Sequence, residues 1–209
     1  MLLSLVDEML RGPDAAEADV YAERILVAAE AQLFEHGLKR TSLDRIAKAA
    51  GVSPITLYRR FANRDVLLAA VVTRDIRRFL AEVAQAVEGV EPPQERIVAG
   101  VVAVATRLTG DNLLRRLLTT DPDTMLPMLT TGPGADLFVS AGTAYMTRTI
   151  KRAKEIGASD AADPAAAAEM CVRLALSMLL HPMPALADRA HVEHIARTTI
   201  MPLLGCRMV

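Results

Sequence analysis

The side chains whose types and spacing suggest chemistry crowd between positions 41 and 64. Hydroxyls come from Thr41, Ser42, Ser53, Thr56 and Tyr58, guanidinium groups from Arg45, Arg59, Arg60 and Arg64, and Pro54 and Ile55 stand among them. Hydroxyl donors interleaved with fixed positive charges suit phosphate oxygens, and an apolar side chain beside them suits a base methyl. The local charge agrees: over residues 20–64 eight Lys and Arg stand against four Asp and Glu, net +4, while the remainder carries 16 against 21, net −5. A basic segment on an acidic body directs one end of the chain at a polyanion. Taken alone, such a segment reads equally as a solvated face.

Other constellations are weaker. His191 and His194 share a helical face, but no acidic or Cys partner follows at metal-ligand spacing, so they read as surface or interface groups and no metal is expected. Cys171 and Cys206 lack a CxxC arrangement and read as apolar fillers. With no GxSxG, Walker loop or dinucleotide fingerprint, the sequence argues against an enzyme and implies no cofactor. An apolar fraction of 52% and a net charge of −1 exclude disorder. The longest charge-free runs, 174–187 and 124–135, contain Pro and fall short of the roughly 18 residues of a membrane span. The first residues lack a basic n-region and soon meet Asp7 and Glu8, so a cytoplasmic protein without a membrane partner is expected.

Helices must position the 41–64 cluster. Ile25, Leu26, Ala29, Leu33 and Phe34 recur at helical spacing, with Gly37 at the expected left-handed stop. Thr41-Ser42-Leu43-Asp44 reads as a capping box in which the Thr hydroxyl caps a second helix ending at Gly51. Ser53-Pro54 is an N-cap with Pro in the first turn, opening a short third helix through Phe61. Asn63 caps a fourth, from Arg64 to about Glu88. Two short helices joined by a Gly-containing turn are a helix-turn-helix. Ile46, Ala47, Ala50, Val52, Leu57 and Phe61 face inward, and Ser53, Pro54, Ile55, Thr56, Tyr58, Arg59 and Arg60 face out.

The run from Thr41 to Leu68 resembles the N-terminal DNA-binding domain of TetR-family transcriptional regulators. The likeness rests on Ile46-Ala47 ahead of Ala50-Gly51-Val52-Ser53, on Thr56-Leu57-Tyr58 with Phe61 three residues on, and on Arg64 opening the next helix. These follow in register a helix ending Phe34-x-x-Gly37, and the resemblance covers roughly residues 20–70. Arg64 departs from the Lys usual there, and Ile55 from a smaller residue. The resemblance implies that Thr41, Ser42, Tyr58, Arg60 and Arg64 clamp phosphates. Arg45, Pro54, Ile55, Thr56 and Arg59 are the candidates for base readout, with Ser53 capping their helix. Tyr58 as a partly buried residue and Arg45 paired with Asp44 or Asp65 are the alternatives at those positions.

A single short helix reads few base pairs, so specificity calls for a homodimer on a palindromic operator. Two Ala- and Leu-rich helices near 164–181 and 189–204, opened by Asp163-Pro164 and Asp188, would pair with their symmetry mates as a four-helix bundle or form an intramolecular core. Further helices are expected at 92–109, 112–120, 122–131 and 135–156, with Pro127 shortening or kinking the third. Met125, Met128, Phe138, Tyr145, Met146, Met170, Leu174 and Met178 either line an adaptable pocket for a hydrophobic small-molecule effector, as the resemblance implies, or fill a core.

The expectation is an all-α chain: an N-terminal extension over 1–19, either a short helix or a disordered leader, then a three-helix DNA-binding domain over 20–66 and a helical effector-binding and dimerisation domain over 67–209. Its implied function is a repressor released from DNA by the effector. The alternative is a DNA-bound protein whose output is a partner-protein interaction.

Overall fold

The structure, a computed structural model, describes residues 20–206; the expectations for residues 1–19 lie outside them. Among the described residues every regular element is helical, so the fold is all-α. In chain order these are α1 Val20–Arg40, α2 Leu43–Ala50, α3 Pro54–Arg60, α4 Arg64–Val87, α5 Pro93–Thr109, α6 Leu113–Thr120, α7 Pro122–Thr130, α8 Gly132–Glu155, α9 Pro164–Leu180 and α10 Arg189–Ile195. A 3-10 turn at Pro184–Ala187 precedes α10, and a π turn at Ala196–Ile200 and a last turn at Met201–Leu203 follow it.

The chain divides into two compact units. The first runs through Phe79 and takes in Asn112–Leu126; the second comprises Leu80–Asp111 and the chain from Pro127. The first is larger than the segment 20–66, for a packing reason. Ile25, Leu33, Ile46 and Leu57 cluster with Leu67 and Val71 of α4, with Leu113 and Leu117 of α6, and with Met125 of α7. Returning a side chain such as Leu117 to water costs about 1.5–3 kcal/mol, so the head needs the later helices to close its core. Ion pairs tie α4 to α1: Arg74 reaches Glu23 (2.7 Å) and Glu30, and Arg78 reaches Glu30 (2.5 Å) and Asp75 (2.7 Å). The bond from Glu30 first, set against burial, raises the Arg78 guanidinium above its usual value.

In the second unit α8 lies along α9, with Gly142 so close to Val172 that an added Cβ would sit 3.0 Å from its Cγ2. Val98, Ile150, Ala168, Ala196, Met201 and Leu204 form one core; Ala105, Leu186 and Val192 form a smaller one. The helix expected over 189–204 starts at its Asp188 cap but widens into the π turn. Pro202 cannot donate to the helical ladder and its ring crowds the carbonyl four residues back, and the wider turn makes room. Glu95 of α5 grips the π turn through a two-pronged pair with Arg197 (2.6 and 2.8 Å). An apolar window of mean hydropathy 1.4 falls within 94–120, but the helical path breaks after Thr109 and restarts at Leu113.

Candidate nucleic-acid interface

Local chemistry builds the reading helix. Gly51 takes the left-handed conformation (φ 63°, ψ 39°) that ends α2, and its N–H and that of Val52 satisfy the carbonyls of Lys48 and Ala47. Two residues later the Ser53 hydroxyl accepts from the Thr56 N–H (3.1 Å) and pairs with the Thr56 hydroxyl (2.9 Å), with Pro54 in the first turn. Leu57, fully buried, and Phe61 hold α3 to the core. The opposite face is left to solvent: Ser53, Pro54 and Arg59 are exposed, Ile55 is 80% exposed and Tyr58 50%. Thr56 and Arg60 are half-buried at its flanks.

At the start of α2 the cap sits one residue later than the capping box implies. Ser42 Oγ accepts from the Arg45 N–H (3.3 Å), while the Thr41 hydroxyl is buried and donates to the carbonyls of Gly37 (2.7 Å) and Gln32 (3.2 Å). The reason lies upstream. Gly37 has the expected positive φ (74°) but an extended ψ (−179°), so α1 kinks rather than stopping, and Thr41 is consumed in stapling the kink. Arg45 is exposed and donates to the Arg40 carbonyl (3.2 Å). Arg64 donates to the Leu38 carbonyl.

Two contributors were not singled out from sequence. The Tyr21 ring lies under the guanidinium carbons of Arg24 (5.9 Å) and Arg60 (5.2 Å), and Arg24 Nη2 donates to the Gly51 carbonyl (3.2 Å). The spacing of Tyr21 and Arg24, one helical turn apart, was a usable signal; the approach of Arg60 depends on packing and was not.

The family model described as bacterial regulatory proteins, tetR family, matches residues 25–71. An uncharacterized HTH-type transcriptional regulator of Mycobacterium bovis is 38% identical over 95 residues, covering 46% of this chain and 48% of that one. The structure is also similar to Salmonella enterica GusR, with a TM-score of 0.67 and 25% identity over 91% of this chain and 98% of that one. Over residues 25–71 this chain is similar to the TetR family. The structure is similar as well to SmeT of Stenotrophomonas maltophilia in its triclosan complex, with a TM-score of 0.59 and 28% identity over 87% of this chain and 90% of that one. The match to the sequence relatives spans only about half their length, so the TetR likeness at sequence level is one of the head.

The structure distributes the eight residues expected to line an effector pocket. Met125 is buried in the core of the first unit, and Met128 and Met170 are about half exposed. Met146 packs on the Val98 and Ile150 cluster, Met178 on that of Ala105, Leu186 and Val192, and Phe138, Tyr145 and Leu174 are half-buried. An open groove lined by Ala81, Ala84, Val87 and Arg96 includes none of them. The Thr143 hydroxyl of α8 is buried without a hydrogen-bond partner. Burial pushes the Cys171 thiol up to about 11, which keeps it protonated and unreactive near neutrality. Among the described residues no three His, Cys, Asp or Glu side chains are grouped to hold a metal, and His191 and His194 stand on α10.

Proposed function

We propose that the chain is a dimeric transcriptional repressor, cytoplasmic, that binds a palindromic operator and is released by a mostly apolar small molecule. The observation that carries DNA binding is the outer face of α3. Ile55 is the most exposed large apolar side chain among the described residues, and it shares its helix with exposed Tyr58 and Arg59. A lone exposed Ile needs no explanation, but one on a basic helix held from behind by Leu57 has the form of a reader of thymine methyls flanked by phosphate and guanine contacts. Ser42 at the α2 N-cap, with Tyr58, Arg60 and Arg64, supplies the phosphate clamp; Arg45, Pro54, Ile55, Thr56 and Arg59 read bases.

Support for an effector comes from the second unit. A buried unpaired hydroxyl such as that of Thr143 costs roughly 1–3 kcal/mol, and a ligand's polar group would relieve it; the flexible Met146 stands about one turn further along the same helix. Triclosan, a small organic molecule, occupies SmeT in its complex. Dimerisation is assigned to α9 and the segment 189–204.

The test is fluorescence anisotropy with a labelled duplex selected from a random pool, across a salt series and against scrambled DNA. Selective binding whose log affinity falls steeply with log salt supports the reading. Equal binding to selected and scrambled duplexes overturns it. Release by an apolar compound, and reciprocal weakening of that compound's binding by DNA, tests the effector.

A further inference from the structure

We propose that Asp121 is a positioning residue for DNA binding: it fixes the backbone at residues 37–40 and through it Arg64, expected to meet phosphate, and Arg45, expected to read bases. The inference rests on the DNA-binding reading above. Asp121 lies 83 residues beyond Leu38, outside the segment that matches the family model, yet within the same compact unit.

Its carboxylate is built into the kink. Oδ2 accepts from the Leu38 N–H (2.7 Å) and the Thr120 hydroxyl (3.0 Å), and Oδ1 from the Lys39 N–H (3.2 Å). The residue is 2% exposed and is itself held at a corner: its N–H donates to Leu117 at the end of α6, and its carbonyl accepts from Thr124 and Met125 at the start of α7. Burial alone raises the carboxyl, but the Leu38, Thr120 and Lys39 bonds outweigh it and hold the group ionised. Gly37 completes the fit, since an added Cβ would stand 2.4 Å from Oδ2.

Three of these residues serve the reading head from their other side. Carbonyls of Gly37, Leu38 and Arg40 accept from Thr41, Arg64 and Arg45 respectively. The N–H groups of 38 and 39 thus go to Asp121, the carbonyls of 38 and 40 go to Arg64 and Arg45 of the expected interface, and that of 37 goes to the buried Thr41. Burying a carboxylate against backbone donors is weak as a stabilising device, because desolvation opposes it; its directionality is what an apolar residue would not replace.

The experiment compares the full-length protein with Asp121→Asn and Asp121→Ala on the duplex selected from a random pool by the wild-type protein. Binding is read well below the melting temperature, with circular dichroism fixing the folded fraction. Removing a negative charge from a DNA-binding unit by itself strengthens attraction to phosphate, so electrostatics and positioning predict opposite signs. Positioning predicts at least a tenfold loss of affinity per folded protein for Asp121→Ala, a smaller loss for Asp121→Asn, and a salt slope lower by about two units for the dimer as one phosphate contact per reading head is lost. Gly37→Ala, which displaces the carboxylate from the other side, should reproduce the loss. A purely structural role lowers the folded fraction but leaves the slope unchanged. Wild-type affinity and slope in folded Asp121→Asn would overturn the inference while leaving the DNA-binding reading intact; failure of the wild-type protein to bind any duplex would overturn both.

Discussion

The guanidinium carbon of Arg60, at the end of the reading helix, lies 5.2 Å from the centre of the Tyr21 ring, and Arg24 approaches the same ring at 5.9 Å while holding the Gly51 carbonyl. Tyr21 therefore gathers two cations from separate elements beside the α2–α3 turn. Cation–π contacts at exposed sites are worth about 0.5–1 kcal/mol. Replacing Tyr21 with Ala should weaken DNA binding about two- to fivefold at low salt, whereas Tyr21→Phe, which keeps the ring, should bind as the wild type does. Equal losses from both changes in anisotropy titrations would point to the hydroxyl and count against the ring's role.

The division of labour on α3 gives a second expectation. Tyr58, assigned to the phosphate backbone, should when changed to Ala reduce affinity for every duplex by a similar factor. Arg59→Ala should relax preference at one position per half-site, costing about 1–3 kcal/mol there, when affinities are measured across a panel of single-base operator variants. A uniform loss from Arg59→Ala, or a position-specific one from Tyr58→Ala, would reverse the assignment.

Legibility in the sequence followed the range of the forces involved. Ser53, Asn63, Asp163 and Asp188 act within a single turn, and each caps the helix it was expected to open. The burial of Ile46, Ala47, Leu57 and Phe61 follows from helical periodicity and was equally readable. The displaced cap at Ser42 was not, because the kink that consumes the Thr41 hydroxyl is stabilised by Asp121, far along the chain. The extent of the first unit was hidden for the same reason: Leu113, Leu117 and Met125 carry no local mark of which core they join. Methionine content likewise does not say where side chains converge: Met125, Met146 and Met178 join three different cores, Met128 and Met170 are about half exposed, and Phe138, Tyr145 and Leu174 are half-buried.

Acid should act on the head through Asp121. Its ionisation is held below the usual 3.8, so the stabilisation from its charged form is complete above the unfolded-state value and is lost as pH falls through the lower folded-state value. The gap in urea midpoint between wild type and Asp121→Asn should be constant from about pH 7 to 5 and close below about pH 4. A gap unchanged at about pH 3 would mean that shape rather than charge separates the two.

The assignment of the dimer surface can be tested without dismantling the second unit. Removing the chain after Ala162 would take away Ala168, Ala196 and Met201, which are core residues, so loss of a dimer by truncation would say nothing of the interface. Met170 is a better probe: it is 49% exposed on α9, with Ala166 and Arg173 exposed near it on the same helix. An exposed substitution usually changes stability by no more than about 0.5 kcal/mol, so Met170→Arg should melt close to the wild type. If α9 pairs with its symmetry mate, the same change buries a charge in each copy of a two-fold interface. Sedimentation should then show monomers at concentrations where the wild type is dimeric, and operator affinity should fall with the second reading head. A dimer that persists in the variant, with operator binding intact, would place the interface elsewhere than α9.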